Sequence, residues 1–163
     1  MLDNNNIEIS WPSDPDAALV PYQVFTDAVI YDQALQRPFR GDNWCFVALA
    51  AEIPNPGDYN APYIDDTTVL VTRDHQNDIH VMPNRCAHRG ALVCRSLRGN
   101  ATDLECVYHQ WKYDLSGKLI GLPFRRGLGG LGGMPEGFKM EEHGLEKLRV
   151  ETVGDLIFAS FSN

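Results

Sequence analysis

Apolar residues in this chain fall into short runs that proline, glycine and acidic residues interrupt, and such runs favour strands over helices. The pattern predicts single strands at residues 44–49, 68–72, 79–82 and 104–107. It also predicts two hairpins, which pair 111–113 with 118–120 and 145–152 with 156–161. Gly117 and Gly154 stand in the hairpin turns, where glycine allows a positive φ. Many short strands at close spacing predict an all-β fold with minor helix.

The helical pattern lies near the N-terminus. Three prolines interrupt residues 1 to about 24, which predicts an extended arm. Residues 26 to about 37 carry apolar side chains at helical spacing, with Thr26 or Asp27 as the cap and Pro38 just beyond the end. One short helix is therefore expected there. Residues 127–144 are rich in glycine and predict an irregular loop, without the Gly-Lys-Ser/Thr of a phosphate-binding loop.

Length and composition indicate one globular domain over residues 1–163, with about 1–43 forming an N-terminal arm and helix. Apolar residues make up 44% of the chain and charged residues 22%, as in ordinary globular proteins. No apolar run approaches the roughly 18 to 20 residues that span a bilayer. The polar, acidic N-terminus lacks the features of a secretory signal. The chain is expected in the cytoplasm, with neither a membrane nor a nucleic acid as partner.

The net charge of −8 is unevenly distributed, because residues 85–126 hold 8 basic and only 3 acidic side chains. One interpretation is a basic surface that steers an acidic partner and raises its encounter rate. The other is that acidic neighbours in the fold neutralise these charges. Sequence alone leaves both open.

The four cysteines are Cys45, Cys86, Cys94 and Cys106. Two disulfides would suit an oxidising compartment, whereas cysteines flanked by histidines in a reducing cytosol indicate metal ligands. Cys86-x-His88 and Cys106-x-x-His109 form two such pairs, with 17 residues between His88 and Cys106.

Three metal centres compete for these two pairs. A single zinc ion can take two cysteines and two histidines, although this spacing is not that of a zinc finger. A plant-type cluster needs four thiolates, and Cys45 and Cys94 do not fall at its spacing, so both are interpreted as small buried residues. The third candidate is a 2Fe–2S cluster with two cysteines on one iron and two histidines on the other.

The two pairs, their separation and the residues around them resemble the Rieske motif. Arg89-Gly90 and the string from Tyr108 to Asp114 are similar to the large (alpha) subunit of Rieske non-heme iron aromatic-ring-hydroxylating oxygenases. Residues 123–127 and 132–135 narrow the resemblance to the salicylate, anthranilate and terephthalate hydroxylase group. The similarity runs from about Val20 to the last residues. The chain departs from the commoner family pattern at Gln110, where most members have glycine.

The resemblance implies antiparallel β-sheets with a small cluster-binding subdomain, about residues 84–123, carrying two ligand loops. The ligands are then Cys86, His88, Cys106 and His109. Gly90 is expected to allow close backbone approach to the sulfides. Arg89 is expected either to fix the first loop by hydrogen bonds or to form a surface ion pair. Trp111 is expected to shield the cluster from water or to pack in the core. It stands where high-potential relatives place a serine hydroxyl, so a potential near the lower end of the Rieske range is expected.

The resemblance also implies partners. A ferredoxin or a flavin/iron–sulfur reductase would supply electrons, and family members work as trimers in which electrons cross to a mononuclear iron of the neighbouring large subunit. Whether a small β subunit is also a partner is left open. The catalytic iron domain is expected to be absent from this chain, which would then transfer electrons without hydroxylating an aromatic substrate. A stand-alone Rieske ferredoxin is the alternative, although such carriers are shorter.

Overall fold

The computed structural model describes residue 9, residues 19–129 and residues 131–162. In these residues the chain forms helices α1 (Gln23–Thr26) and α2 (Ala28–Phe39) and short 3₁₀ turns at Ala50–Glu52 and Met140–Glu142. The strands are β1 (Cys45–Leu49), β2 (Asp58–Asn60), β3 (Tyr63–Ile64), β4 (Thr67–Arg73), β5 (Ile79–Pro83), β6 (Arg98–Asn100), β7 (Leu104–Glu105), β8 (Lys112–Tyr113), β9 (Leu119–Gly121), β10 (Arg149–Val153) and β11 (Leu156–Ser160).

The strands form three antiparallel sheets. One has the order β1-β11-β10. The largest has the order β3-β4-β2-β6, with β5 also paired to β4. The third is the meander β7-β8-β9. The all-β fold with minor helix predicted from the short apolar runs is confirmed.

Strand β4 separates two hydrophobic cores, because its side chains alternate between its faces and both faces are buried. Val69 and Val71 belong to a core that also contains Ile157 and other residues of β1 and β11. Leu70 belongs to the other core, which also contains residues of the meander and the cysteine of each sequence-predicted ligand pair. Thr72, also on β4, donates from its hydroxyl to the Leu115 carbonyl at 2.6 Å and so ties β4 to the meander.

The predicted helix is confirmed and longer than expected. Asp27 caps α2, since its carboxylate accepts from the amides of Val29 and Ile30 at 2.9 and 3.2 Å. The helix continues through Pro38 instead of ending before it. Proline lacks a backbone N–H, but at this position the lost hydrogen bond affects only the last turn of the helix. Residues 23–26, expected in an extended arm, form a helical turn; most of that arm, 1–8 and 10–18, lies outside the described residues. None of the described helices is long and apolar enough to cross a bilayer.

Most predicted strands lie within a residue or two of those observed, and two predictions are wrong in extent. The strand predicted at 104–107 ends at Glu105, because Cys106 already begins a turn. The strand predicted from 145 begins only at Arg149. Strands β2, β3 and β6 were not predicted, since each is only two or three residues long, and β2 and β6 are also mostly polar.

Candidate metal centre

Two loops present the cysteine–histidine pairs. The first follows β5 and ends at β6, and it carries Cys86 and His88. The second joins the paired strands β7 and β8, and it carries Cys106 and His109. The two loops therefore come from different sheets, and both cysteines belong to the core that lies on one side of β4.

Each cysteine begins the same kind of turn. The carbonyl of Cys86 accepts from the Gly90 amide at 2.8 Å, and the carbonyl of Cys106 accepts from the Gln110 amide at 2.8 Å. The residue four positions after each cysteine has a positive φ, 72° for Gly90 and 57° for Gln110. The departure from the family pattern at Gln110 thus keeps the turn, at a conformational cost of about 1 kcal/mol for a residue with a Cβ.

The two thiols lie together in the protein interior. Cys86 is 4% exposed and Cys106 is 1% exposed, and their sulfurs are within hydrogen-bonding reach. Burial raises the pKa of the Cys106 thiol, and the neighbouring thiol adds to this. The backbone amides of Tyr108 and His109 act in the opposite direction, since they favour a negative charge on the sulfur. The sulfur pair is thus shielded from water and supplied with hydrogen-bond donors.

The two imidazoles lie together at the protein surface. The ring centroids of His88 and His109 are 4.6 Å apart, and the planes meet at 71°. His88 is exposed and His109 is half-buried. Desolvation lowers the pKa of His88, and the positive charges of His109 and Arg89 lower it further. The ring is therefore held in the neutral form that can bind a metal ion.

Trp111 covers the inner side of the imidazole pair. Its ring stacks on His88 with a centroid distance of 4.7 Å and an angle of 8°, and the residue is only 4% exposed. Phe138 and His143 pack behind it, with centroids 6.2 and 6.1 Å from that of Trp111. Trp111 thus packs in the core and also covers the ring of His88, a predicted ligand, so both roles considered from the sequence are compatible with its position.

Tyr113 was not predicted as a site residue. Its hydroxyl lies 3.1 Å from the Cys86 sulfur, and the amide of Ala87 donates to the same hydroxyl oxygen at 3.2 Å. The side chain is fully buried, and burial, followed by the contact with Cys86, raises its pKa. The hydroxyl therefore stays protonated, and its hydrogen is free to point at the sulfur. Tyr113 lies on β8, 27 positions from Cys86 in the sequence, so no local signal pointed to this contact.

The remaining candidates are placed as follows. The guanidinium carbon of Arg89 lies 5.8 Å from the Tyr108 ring centroid. Neither the hydrogen bonds within the loop nor the surface ion pair considered for Arg89 from the sequence is observed among the described residues. A Cβ at Gly90 would meet only the Arg85 side chain, at 3.5 Å, so the positive φ of the turn is what favours glycine there. The close approach of the Gly90 backbone to the sulfides stays a prediction.

The other cysteines and histidines lie apart from the two ligand pairs or behind them. Cys45 and Cys94 are half-buried, and burial raises the pKa of Cys94 to about 11. His80 is hydrogen-bonded to Asp74 at 2.7 Å, at the end of β5 opposite the ligand loop. His143 contacts the carbonyl of Lys139 at 2.9 Å and packs against Trp111.

The arrangement of the thiols and imidazoles indicates which kind of metal centre these side chains could bind. Across residues 19–129 and 131–162, no three cysteine, histidine or acidic side chains are arranged to hold one metal ion. The donors form two chemically distinct pairs, buried sulfurs and exposed nitrogens. A centre with two metal atoms, one bound by thiolates and the other by imidazoles, fits this arrangement, and that is the ligand pattern of a Rieske [2Fe–2S] cluster.

Comparison with known protein families agrees with this assignment of the metal centre. Residues 43–132 match the model of the Rieske [2Fe-2S] domain, which is more than half of the chain. The chain belongs to the Rieske [2Fe–2S] domain family, and the resemblance drawn from its residues is confirmed.

More particularly, the chain is similar to large subunits of aromatic oxygenases. It is 51% identical to the anthranilate 1,2-dioxygenase large subunit of Burkholderia cepacia over 96% of this chain and 37% of that protein. It is 47% identical to the large oxygenase component of salicylate 5-hydroxylase of Ralstonia sp. over 94% of this chain and 37% of that protein. The fold matches a crystal structure of naphthalene 1,2-dioxygenase from Rhodococcus sp. with a TM-score of 0.77 and 33% identity, covering 88% of this chain and 31% of that one. The chain thus spans about a third of the length of these relatives.

Tyr113→Phe is expected to lower the reduction potential of the loaded protein by about 50 mV. The hydroxyl donates to the Cys86 sulfur and stabilises the reduced, more negative state; a hydrogen bond is worth roughly 1 kcal/mol, and about 59 mV corresponds to 1.4 kcal/mol for one electron. A redox titration followed by visible absorption measures the change. Tyr59→Phe, on β2 and away from both loops, is the control and should leave the potential unchanged. An unchanged potential in Tyr113→Phe would contradict the assigned hydrogen bond.

Proposed function

We propose that this chain is the electron-transfer portion of the large subunit of an aromatic-ring-hydroxylating oxygenase, with Cys86 and Cys106 as ligands of one iron and His88 and His109 as ligands of the other. The observation that carries the proposal is the buried thiol pair beside an exposed imidazole pair. A bound Rieske cluster supplies a store for one electron. The side chains then have two roles. The thiols and Trp111 exclude water, and His88 and His109 are ligands that lie at the protein surface.

Residues of about 84–123 would form the cluster-binding subdomain of a domain that spans 1–163. The mononuclear iron that activates oxygen would belong to a part of the large subunit outside the region that matches this chain, since that region covers 37% of each of these two relatives. The exposed edges of His88 and His109 are the natural exit toward that iron in a neighbouring subunit. The aromatic substrate would bind there as well.

The basic surface favours an acidic electron donor, a ferredoxin or an iron–sulfur reductase. Lys112 is neutralised within the fold by Asp103 and Glu105, at 3.4 and 3.3 Å. By contrast, four exposed arginines of the first ligand loop and β6 form no ion pair among the described residues: Arg85, Arg89, Arg95 and Arg98. No acidic residue occurs between 85 and 102. Of the two interpretations left open by the sequence, a surface that steers an acidic partner is the better supported.

Spectra of the purified chain are the first test of this function. Visible bands typical of mixed cysteine and histidine ligation, and a reduced-state EPR signal of low average g, are expected together with iron and sulfide. A colourless protein holding one zinc ion would overturn the electron-transfer function.

Charge reversal at the first loop tests the donor surface. Arg85 and Arg95 directly follow the two residues that meet at the base of the loop, because the side chain of Asn84 is hydrogen-bonded to Cys94. Arg85→Glu combined with Arg95→Glu is expected to slow reduction by an acidic ferredoxin about tenfold at low ionic strength, with little difference at high salt. Stopped-flow absorption measures the rate, and redox titration should show an unchanged potential.

Lys147→Glu combined with Lys118→Glu is the matched control for that experiment. Lys147 is exposed and lines a cavity of about 320 Å³ with Asp74 and His80, beyond the end of β5 opposite the ligand loop. Lys118 lines the same cavity, and Lys147→Glu combined with Lys118→Glu changes the net charge by −2 at each of two positions, as the double arginine variant does. The same charge change at this distance should have little effect on the rate. Equal rates for the wild type and the double arginine variant at low salt would show that the donor binds elsewhere.

A further inference from the structure

The two ligand loops differ in how their ends are joined. The second loop lies between β7 and β8, which pair directly, Glu105 opposite Lys112, so backbone hydrogen bonds close its base. The first loop lies between β5 and β6, which belong to the same sheet without being neighbours: β5 pairs with β4, and β6 pairs with β2. The first loop therefore needs another means of closure.

The side chain of Asn84 supplies that closure. Its carbonyl oxygen Oδ1 accepts from the backbone amides of Val93 and Cys94 at 3.0 and 2.9 Å. Its amide nitrogen Nδ2 donates to the carbonyl oxygen of Cys94 at 2.7 Å. One side chain thus takes the place of a strand partner for the returning limb of the loop.

Asn84 is itself fixed to the sheet. Its backbone amide donates to the Thr68 carbonyl of β4 at 2.9 Å, and the residue is only 1% exposed. Because buried amide groups are costly to leave without partners, the three side-chain hydrogen bonds specify one arrangement of the loop base. Cys86 and His88 lie between the two points that Asn84 joins.

We propose that Asn84 is a positioning residue, which closes the base of the first ligand loop and thereby holds Cys86 and His88 in place against Cys106 and His109. The proposal rests on the function proposed above, in which these four residues are the ligands. Asn84 does not contact the metal atoms in this scheme. It acts through the backbone of residues 85–94, and its removal is expected to loosen the first loop and leave the second unchanged.

Asn84→Leu in the full, cluster-loaded chain tests the proposal, because leucine keeps the size of the side chain and removes all three hydrogen bonds. Hydrogen–deuterium exchange followed by mass spectrometry is expected to accelerate about tenfold to a hundredfold at the amides of 93 and 94. A peptide covering residues 104–113 should exchange as in the wild type. Iron release to a chelator, followed by absorption, is expected to accelerate by a similar factor.

Two further variants make the test specific. Asn84→Asp keeps an acceptor for the two amides and loses the donor to Cys94, so its exchange and iron release should lie between those of wild type and Asn84→Leu. This variant also serves if the leucine variant does not fold. Asn60→Leu is the matched control, since Asn60 is 9% exposed and its side chain donates to Glu52 at 3.2 Å, a residue of neither loop. It is expected to lower the melting temperature without selective loosening of 93–94.

The outcomes separate the two proposals. Unchanged exchange at 93 and 94 in the Asn84 variants would overturn the role of Asn84 and leave the proposed ligands unaffected. Faster exchange with unchanged iron release would show that the first loop does not hold the metal, and both proposals would then fail. Equal iron release from Asn84→Leu and Asn60→Leu would reduce Asn84 to a contributor to general stability and overturn its positioning role.

Discussion

A Cys106→Ser variant of this chain is expected to purify without its cluster. Cys106 is 1% exposed and lies in hydrogen-bonding reach of Cys86, so its sulfur has no solvent route by which another ligand could replace it. A serine hydroxyl at this position remains protonated at neutral pH and binds iron poorly, whereas a cysteine loses its proton on binding metal. Iron and acid-labile sulfide should fall from about two of each per chain to nearly none. The visible absorption of the cluster should disappear with them.

Cys94→Ser and Cys45→Ser are the matched controls for the loss of one sulfur. Cys94 lies on the same loop as Cys86 and packs against the same core, yet it takes no part in the thiol pair. Cys45 lies at the start of β1, with its sulfur 3.7 Å from the Pro38 carbonyl. Both variants should keep their iron and their spectrum. Retention of the cluster in Cys106→Ser, or its loss in Cys94→Ser, would show that the ligand set is different.

The parts of the centre that the sequence could predict are those in which residue type and spacing carry the chemistry. Thiols and imidazoles are recognisable as ligands, and their spacing distinguishes Cys86, His88, Cys106 and His109 from the other cysteines and histidines. The strands could be predicted for a similar reason, since β4 and β11 are apolar runs of strand length. In both cases the signal lies within a few neighbouring residues.

The parts that could not be predicted depend on contacts between segments distant in the sequence. The hydroxyl of Tyr113 meets Cys86 across 27 positions, and nothing near Tyr113 in the sequence indicates this contact. The short strands β2 and β6 pair with each other across the first ligand loop and carry mostly polar residues, so their existence depends on the sheet that they join. Arg89, a motif residue beside a predicted ligand, lies over the Tyr108 ring, a contact that the sequence did not indicate, and its role in the first loop stays a prediction.

Gln110 shows how the structure explains a departure from a motif. From the sequence, glutamine after the second histidine was only a deviation from the commoner pattern. In the structure it occupies the same turn position as Gly90 in the first loop, with the same hydrogen bond back to a cysteine carbonyl. The two loops thus share one backbone turn while their histidines stand two and three residues after the cysteine. Because of this difference in spacing, the two imidazoles project from different positions of two equivalent turns.

Trp111→Ala is expected to have the second large effect, on stability and on the lifetime of the cluster together. Removing a buried aromatic ring from a core costs about 3–5 kcal/mol in the free energy of unfolding, a large fraction of the stability of a typical domain. Because Trp111 also covers one face of His88, its loss opens a path for water and oxygen to the imidazole pair. Chemical denaturation measures the stability, and the decay of visible absorption in air-saturated buffer measures the lifetime.

The comparison with Ile157→Ala decides between the two roles of Trp111. Ile157 is fully buried in the other core, on the far side of β4, and its replacement should cost about 2–5 kcal/mol. If Trp111 shields the ligands, Trp111→Ala shortens the lifetime much more than Ile157→Ala does at a similar loss of stability, and Trp111→Phe restores much of it. If Trp111 only packs in the core, lifetime follows the free energy of unfolding in all three variants. The stacking on His88 leads us to expect the first result, because the ring is positioned against a ligand that is itself exposed to solvent.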